Sequence, residues 1–132
     1  MPKANIKVNI NDIGGSIAKQ DERYIVKDNQ FGNKLVLSST LLEPNMSTSG
    51  HFHNGQEEVY FFIEGKGQMQ LDNEFVKVEA GDVVPIHDGV FHKVTNLQDE
   101  DMYFVCVLGG YLWGFSEGFG RTSGVFEEVF AV

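Results

Sequence analysis

The sequence predicts an all-β protein built as one small sandwich or barrel. Three observations carry that reading. Apolar residues recur with a period of two along most of the chain, the mark of strands with one buried face. The runs are short and end at glycine, proline or Asp-Asn turns. No stretch holds the helical spacing over a convincing length. With 132 residues, 42% of them hydrophobic and 22% charged, the chain suits a single globular domain with its own core.

The elements follow in order. Ile6, Val8 and Ile10 alternate with Lys7 and Asn9 and read as an opening strand, closed by Gly14-Gly15. The stretch from Gln20 to Asn33 is polar, with little to bury. Lys34 to Leu42 is rich in β-formers and stops at Pro44-Asn45. Glu58 to Ile63, with Val59, Tyr60, Phe61 and Phe62 in a row, is the strongest strand, and Gly65 and Gly67 bracket a turn after it. Met69–Leu71 and Phe75–Val78 form a hairpin around Asp72-Asn73. Gly81-Asp82 makes the next turn, followed by strands at Val83–Ile86, His92–Asn96 and Met102–Leu108. Gly124 to Val132 fits a terminal strand or a short helix. The acidic run Asp99-Glu100-Asp101 reads as a solvated turn.

Composition narrows the function. Nineteen acidic against ten basic residues give a formal charge of −9, a poor match for nucleic acid or an anionic membrane. No run approaches the roughly 18 apolar residues of a membrane helix. Met1 to Lys7 has no apolar run behind its positive charge, so no secretory signal is read there and a cytoplasmic location is expected. The single cysteine, Cys106, excludes a disulfide framework within the chain and reads as a small buried hydrophobe in its apolar strand.

The four histidines all lie between positions 51 and 92. His51 and His53 share a face of an extended segment, as do Glu58 and Tyr60, and His92, Val94 and Asn96. If those three segments line one interior, imidazoles and a carboxylate can meet, a donor set suited to a divalent transition metal. The spacing alone leaves that open against ordinary core or surface histidines.

These residues resemble the two motifs of the cupin superfamily. Asn45, His51-Phe52-His53, Glu58 and Gly65 follow the spacing of the first motif, with Asn45 in place of its leading glycine. Asparagine is among the non-glycine residues that best tolerate positive φ, so the turn can survive. Gly81, His87-Asp88-Gly89, His92 and Asn96 follow the second, with His87 where the family has proline. The resemblance implies a double-stranded β-helix, or jelly-roll barrel, as a single domain over residues 1–132 with a core of about residues 34–108. It implies His51, His53, Glu58 and His92 as ligands of a divalent metal such as iron, manganese, zinc or nickel. Glu57 is the competing carboxylate, but only Glu58 has the motif's spacing to Gly65.

Three imidazoles and one carboxylate would leave a divalent ion with net positive charge and two open octahedral positions. Such a centre attracts an oxyanion or a chelating hydroxy-carbonyl. Phe52, Tyr60, Phe62, Phe91 and Tyr103 are candidate wall residues, with the Tyr60 phenol expected to point inward beside Glu58.

Within the superfamily, Thr48-Ser49-Gly50-His51-Phe52-His53, Glu58-Val59-Tyr60 and Gly65-Lys66-Gly67-Gln68-Met69 are similar to the cupin-type archaeal glucose-6-phosphate isomerases. The tail Gly110-Tyr111-Leu112-Trp113-Gly114 departs from that family's Gly-His-Asp-Tyr-Gly. The resemblance implies a metal-dependent isomerase of a sugar or sugar phosphate. Glu58 would be ligand and candidate base, Tyr60 an orienting donor, and Thr48 and Gly50 contacts to the substrate. Two other readings use the same residues: an iron(II) dioxygenase, and a ligand-binding or sensor protein without turnover. A carbohydrate-like small molecule is the expected partner. Val59, Phe61 and Ile63 on the outer face, with the family's habit, suggest a homodimer.

Overall fold

Nine strands account for the regular structure in the computed structural model, which describes residues 7–30 and 34–109. They are β1 (Ser16–Gln20), β2 (Tyr24–Asn29), β3 (Val36–Leu42), β4 (Glu58–Glu64), β5 (Lys66–Leu71), β6 (Glu74–Glu79), β7 (Val83–Ile86), β8 (His92–Asn96) and β9 (Met102–Leu108). One sheet has six strands in the order β1-β2-β3-β9-β4-β7; the other has three, β6-β5-β8, and every pairing is antiparallel. The segment Ser47–His51 runs along β8 and widens the smaller sheet, with bridges Ser47–Thr95 and His51–His92.

The period-two pattern decides which side chains face between the sheets. Pairing aligns Tyr24, Leu42 and Met102 as one inner row. Val26, Thr40, Phe104 and Phe62 form the next. Asp28, Ser38, Cys106 and Tyr60 form a third. Val36, Leu108, Glu58 and Ile86 form the fourth. The first two rows are apolar apart from Thr40 and close one end of the barrel. Tyr60, Phe62 and Phe104 stack there with ring centroids 5.4 to 6.2 Å apart, and each such pair adds about 1 kcal/mol beyond area burial. Polar character rises toward the other end.

Turn chemistry holds the corners. Asn45 adopts φ 60°, the left-handed turn expected of an asparagine in the glycine position. Asn96, fully buried, clasps the far corner: its Nδ2 donates to the carbonyls of Leu42, Glu43 and Glu100, and its Oδ1 accepts from Gln98 N–H.

Four expectations from sequence need correction. Val8 and Ile10 are exposed, and residues 9–12 make a turn with an Asn9–Asp12 bridge rather than a strand; Ile6 lies outside the described residues. The polar stretch from Gln20 contains β2, whose Tyr24 and Val26 are fully buried. Alternation was present there, but flanking charges hid it. β2 therefore joins the sheet ahead of β3. Gly67 sits inside β5, not in a turn: a Cβ there would meet the Thr95 carbonyl oxygen at 2.1 Å, so close strand approach requires glycine. Tyr103 faces outward, and its hydroxyl donates to the Ile10 carbonyl at 2.7 Å. The expected terminal element at residues 124–132 lies outside the described residues.

Asn96→Ala should lower unfolding stability by about 3 kcal/mol, because three carbonyls and one N–H lose their partner. Leu97→Ala, at an exposed neighbour, should stay within about 0.5 kcal/mol. Urea unfolding followed by tyrosine fluorescence and circular dichroism checks both; equal midpoints would refute the clasp.

Candidate metal centre

Glu58 opens β4 and His92 opens β8, so sheet pairing places both at the polar end of the barrel. His51 reaches the same place through its bridge to His92, sealed by reciprocal backbone hydrogen bonds of 3.1 and 2.9 Å. His53, two residues on, shares that face, and its carbonyl accepts from Gly89 N–H at 2.8 Å.

An extra residue shapes this approach. Between the Ser47–Thr95 and His51–His92 bridges, residues 48–50 oppose only 93 and 94. That is a β-bulge. Thr48 fills the gap in the ladder: its N–H donates to the Val94 carbonyl at 2.9 Å, and its Oγ1 accepts from Val94 N–H at 3.0 Å. Gly50 supplies the turn at φ 83°, and a Cβ there would lie 2.6 Å from the Phe91 ring. Thr48 is buried and structural in its contacts.

One donor atom from each of His51, His53, Glu58 and His92 lies within 4.8 Å of all the others. His53 Nε2 stands 2.5 Å and His92 Nε2 3.2 Å from Glu58 Oε2. These distances are short, yet the directions do not make hydrogen bonds: among the described residues, His51 Nε2, His53 Nε2, His92 Nε2 and Glu58 Oε2 are all buried without a hydrogen-bond partner. The atoms converge on a common point rather than on one another. Orphaned buried donors of this kind are what a cation would satisfy. The site fits a divalent transition ion with nitrogen and oxygen ligands.

The surroundings orient the ligands. His92 Nδ1 lies 3.0 Å from the Val90 carbonyl; an N–H donated there leaves the Nε2 lone pair facing the cluster. The Cys106 thiol donates to Glu58 Oε1 at 3.5 Å. Burial pushes that thiol well above its usual range, so it stays protonated as the donor. Burial also pushes the Tyr60 phenol well above 10, with the Glu58 charge adding to it. Tyr60 is fully buried with its hydroxyl unpartnered, beside His92 at a centroid distance of 5.7 Å.

Burial, then the neighbouring His92 and His53, lower the His51 imidazole to about 3. It is a neutral ligand at any ordinary pH. Burial opposes ionisation of Glu58, but the His53 and His92 rings against it prevail and hold the carboxyl at about 2.

The fold places His51, His53, Glu58 and His92 at one point, with Tyr60 beside them. Glu57 points outward, as alternation requires, and is exposed with His87 at 3.9 Å. Phe52 is also exposed and is not a wall residue, while Phe91 packs over Gly50. Cys106 beside Glu58, and the inward Asp28, Ser38 and Thr40, went unnoticed. Their strand partners could have been read only from a known register. The tail motif at residues 110–114 lies outside the described residues.

A family model described as a cupin domain matches residues 39–108. The chain belongs to the cupin family. The cupin is 29% identical over 123 residues to a glucose-6-phosphate isomerase of Pyrococcus furiosus, covering 81% of this chain and 65% of that one. It thus spans just under two thirds of the isomerase's length. It is 26% identical over 100 residues to an oxalate-binding protein of Thermotoga maritima, covering 75% of this chain and 83% of that protein. Among solved structures, a Klebsiella pneumoniae protein with a double-stranded β-helix domain superposes with TM-score 0.69 at 18% identity, over 80% of this chain and 90% of that one. The last likeness shows the fold alone.

Two outcomes test the centre. Purified wild type should carry about one divalent ion per chain by elemental analysis, and the His51→Ala, His92→Ala double variant essentially none; equal content would refute the site. The metal-free protein should show a two-part acid profile. His51 titrates near 3 folded and 6.5 unfolded, so stability falls as pH drops below 6.5. Burial raises Asp28 from 3.8 to about 6, so its contribution grows as pH falls from 6 toward 3.8. The two offset each other until Glu58, lowered from 4.5 to about 2, adds its own loss below 4.5. Calorimetry should give a nearly level Tm from pH 6 to 4.5 and a steep fall below it. Asp28→Asn should bring the onset of the fall up to about pH 6.

Proposed function

We propose that this cupin holds a divalent metal at His51, His53, Glu58 and His92 and acts as an isomerase that interconverts aldose and ketose forms of a sugar or sugar phosphate. One observation carries the metal: four buried donor atoms that converge without satisfying one another. The likeness to archaeal glucose-6-phosphate isomerases supports the reaction.

When bound, the metal would polarise a substrate carbonyl and acidify the neighbouring hydroxyl. The chain's own residues do the rest. The inward rows of Tyr60, Phe62 and Phe104 keep bulk water away from one side of the substrate. Tyr60, protonated and unpartnered, donates a hydrogen bond to a substrate oxygen and fixes its orientation. Glu58 suits the role of ligand better than that of base, since a carboxyl held at about 2 accepts protons poorly at neutral pH. Thr48 and Gly50 act by shaping the bulge that presents His51.

The weak basicity of Glu58 also favours a second reading, ligand capture without turnover, for which the oxalate-binding relative is a precedent. Sugar and sugar-phosphate panels followed by NMR without oxygen separate the two. The isomerase reading expects aldose–ketose conversion that is lost with the metal. Binding of small oxyacids with no conversion of any sugar would replace it with the capture reading. Tyr60→Phe should lower kcat by about 10- to 100-fold while leaving metal content unchanged; an unchanged kcat would remove Tyr60 from the mechanism.

A further inference from the structure

Glu58 turns its two carboxylate oxygens to different neighbours. Oε2 meets the histidines, 2.5 Å from His53 Nε2 and 3.2 Å from His92 Nε2. Oε1 instead accepts the Cys106 S–H at 3.5 Å. Strand register explains that contact. Cys106 of β9 lies opposite Tyr60 of β4, and Leu108 lies opposite Glu58, so thiol and carboxylate meet on the diagonal of one inner face. The thiol is itself held from the other side. Ser38 of β3 is the direct partner of Cys106, and Asp28 of β2 is the direct partner of Ser38. The Ser38 hydroxyl is a hydrogen-bond partner of both the thiol and the Asp28 carboxyl. One line of side chains thus runs Asp28–Ser38–Cys106–Glu58 across four strands. Ser38, Cys106 and Glu58 are each at most 2% exposed, so water does not compete for these contacts.

We propose that Cys106, steadied by Ser38, is a positioning residue for the metal centre: its S–H holds Glu58 Oε1 off the ion, so that Glu58 binds through Oε2 alone and two coordination positions stay free for a chelating ligand. The inference rests on the metal reading above and adds how that centre keeps room for what it binds. A carboxylate can hold an ion through one oxygen or through both. The two modes differ by a small turn about a terminal torsion that has no sharp preference of its own, so a neighbour must choose between them. A thiol is a weak donor, but one fixed against an ionised, buried oxygen is enough to give that oxygen a partner and a direction. Burial keeps the thiol protonated for this work. Tyr60, the other inward group beside Glu58, does not take the role, since its hydroxyl is without a partner among the described residues.

The test uses the full chain loaded with Mn(II) and reads water-proton relaxivity, which counts the waters on the bound ion. Cys106→Ala removes the donor and leaves a gap, Cys106→Val removes the donor and fills the gap, and Cys106→Ser keeps a donor. Bound manganese should stay at one ion per chain in all of them. Inner-sphere relaxivity should fall to about half in both the alanine and the valine variants, as the second carboxylate oxygen displaces one of two waters, and should stay near wild type in the serine variant. Cys106 is the chain's one cysteine, so the S–H stretching band in the infrared belongs to it alone. Ser38→Ala should move that band to higher frequency, as the thiol loses its support and donates more weakly. Relaxivity unchanged in the alanine and valine variants would overturn the positioning role and leave the metal reading standing. So would a valine variant that regains what alanine loses, which is the mark of packing alone, or a serine variant that falls as far as alanine. An unmoved S–H band would take Ser38 out of the line. Wild type that binds no manganese would overturn the metal reading itself, and the positioning role with it.

Discussion

Burying three imidazoles and a carboxylate around one point is the demand on which the rest of this molecule turns. Among the described residues nothing satisfies those atoms, and their desolvation is unfavourable until a cation completes them. The barrel meets the demand by geometry. Two sheets must close so that the first residue of β4 and the first residue of β8 face each other. A third segment must then lie along β8 to bring in His51 and His53. The apolar rows at the opposite end supply the packing that holds this closure against the polar end.

The same arrangement sets the chemistry of each group. His51 is kept neutral by burial beside two other imidazoles, so it is ready to coordinate without first losing a proton. Glu58 is kept ionised by the histidines and tethered by the Cys106 thiol. Those conditions make a good ligand and a poor base. Tyr60 is the reverse case: burial beside Glu58 keeps its proton in place, which leaves a donor and not a nucleophile. One short stretch of β4 thus carries two inward groups with opposite assignments, separated by a single outward valine.

Much of the site could be read from the sequence because its logic is local. His51 and His53 sit two apart, and Glu58 and Tyr60 sit two apart; a period of two puts each pair on one side of its segment. The same rule turned Glu57 outward. Asn45 was readable too, since few residues other than glycine accept its backbone angle. The misses are of another kind. Ile6 to Ile10 alternates, but alternation does not say whether a sheet has room for the segment. Tyr24 and Val26 lie among charges whose outward direction is known only once β2 is paired. Gly67 looked like a turn because its partner, the Thr95 carbonyl, is distant in sequence. Asp28, Ser38, Cys106 and Tyr60 form a row only through three pairings that no local pattern encodes.

The bulge at residues 48–50 has a consequence for how such a centre is gained and lost. Side chains on an extended segment swap sides with each residue added or removed. Regular pairing onward from Ser47 with all residues kept and no bulge would set His51 one step past His92 and turn both histidines toward solvent. The remaining strands would be untouched, so the barrel could outlive its cation. The bulge is therefore what ties the scaffold to the chemistry, and a change confined to residues 48–50 that flattens it is enough to part the two.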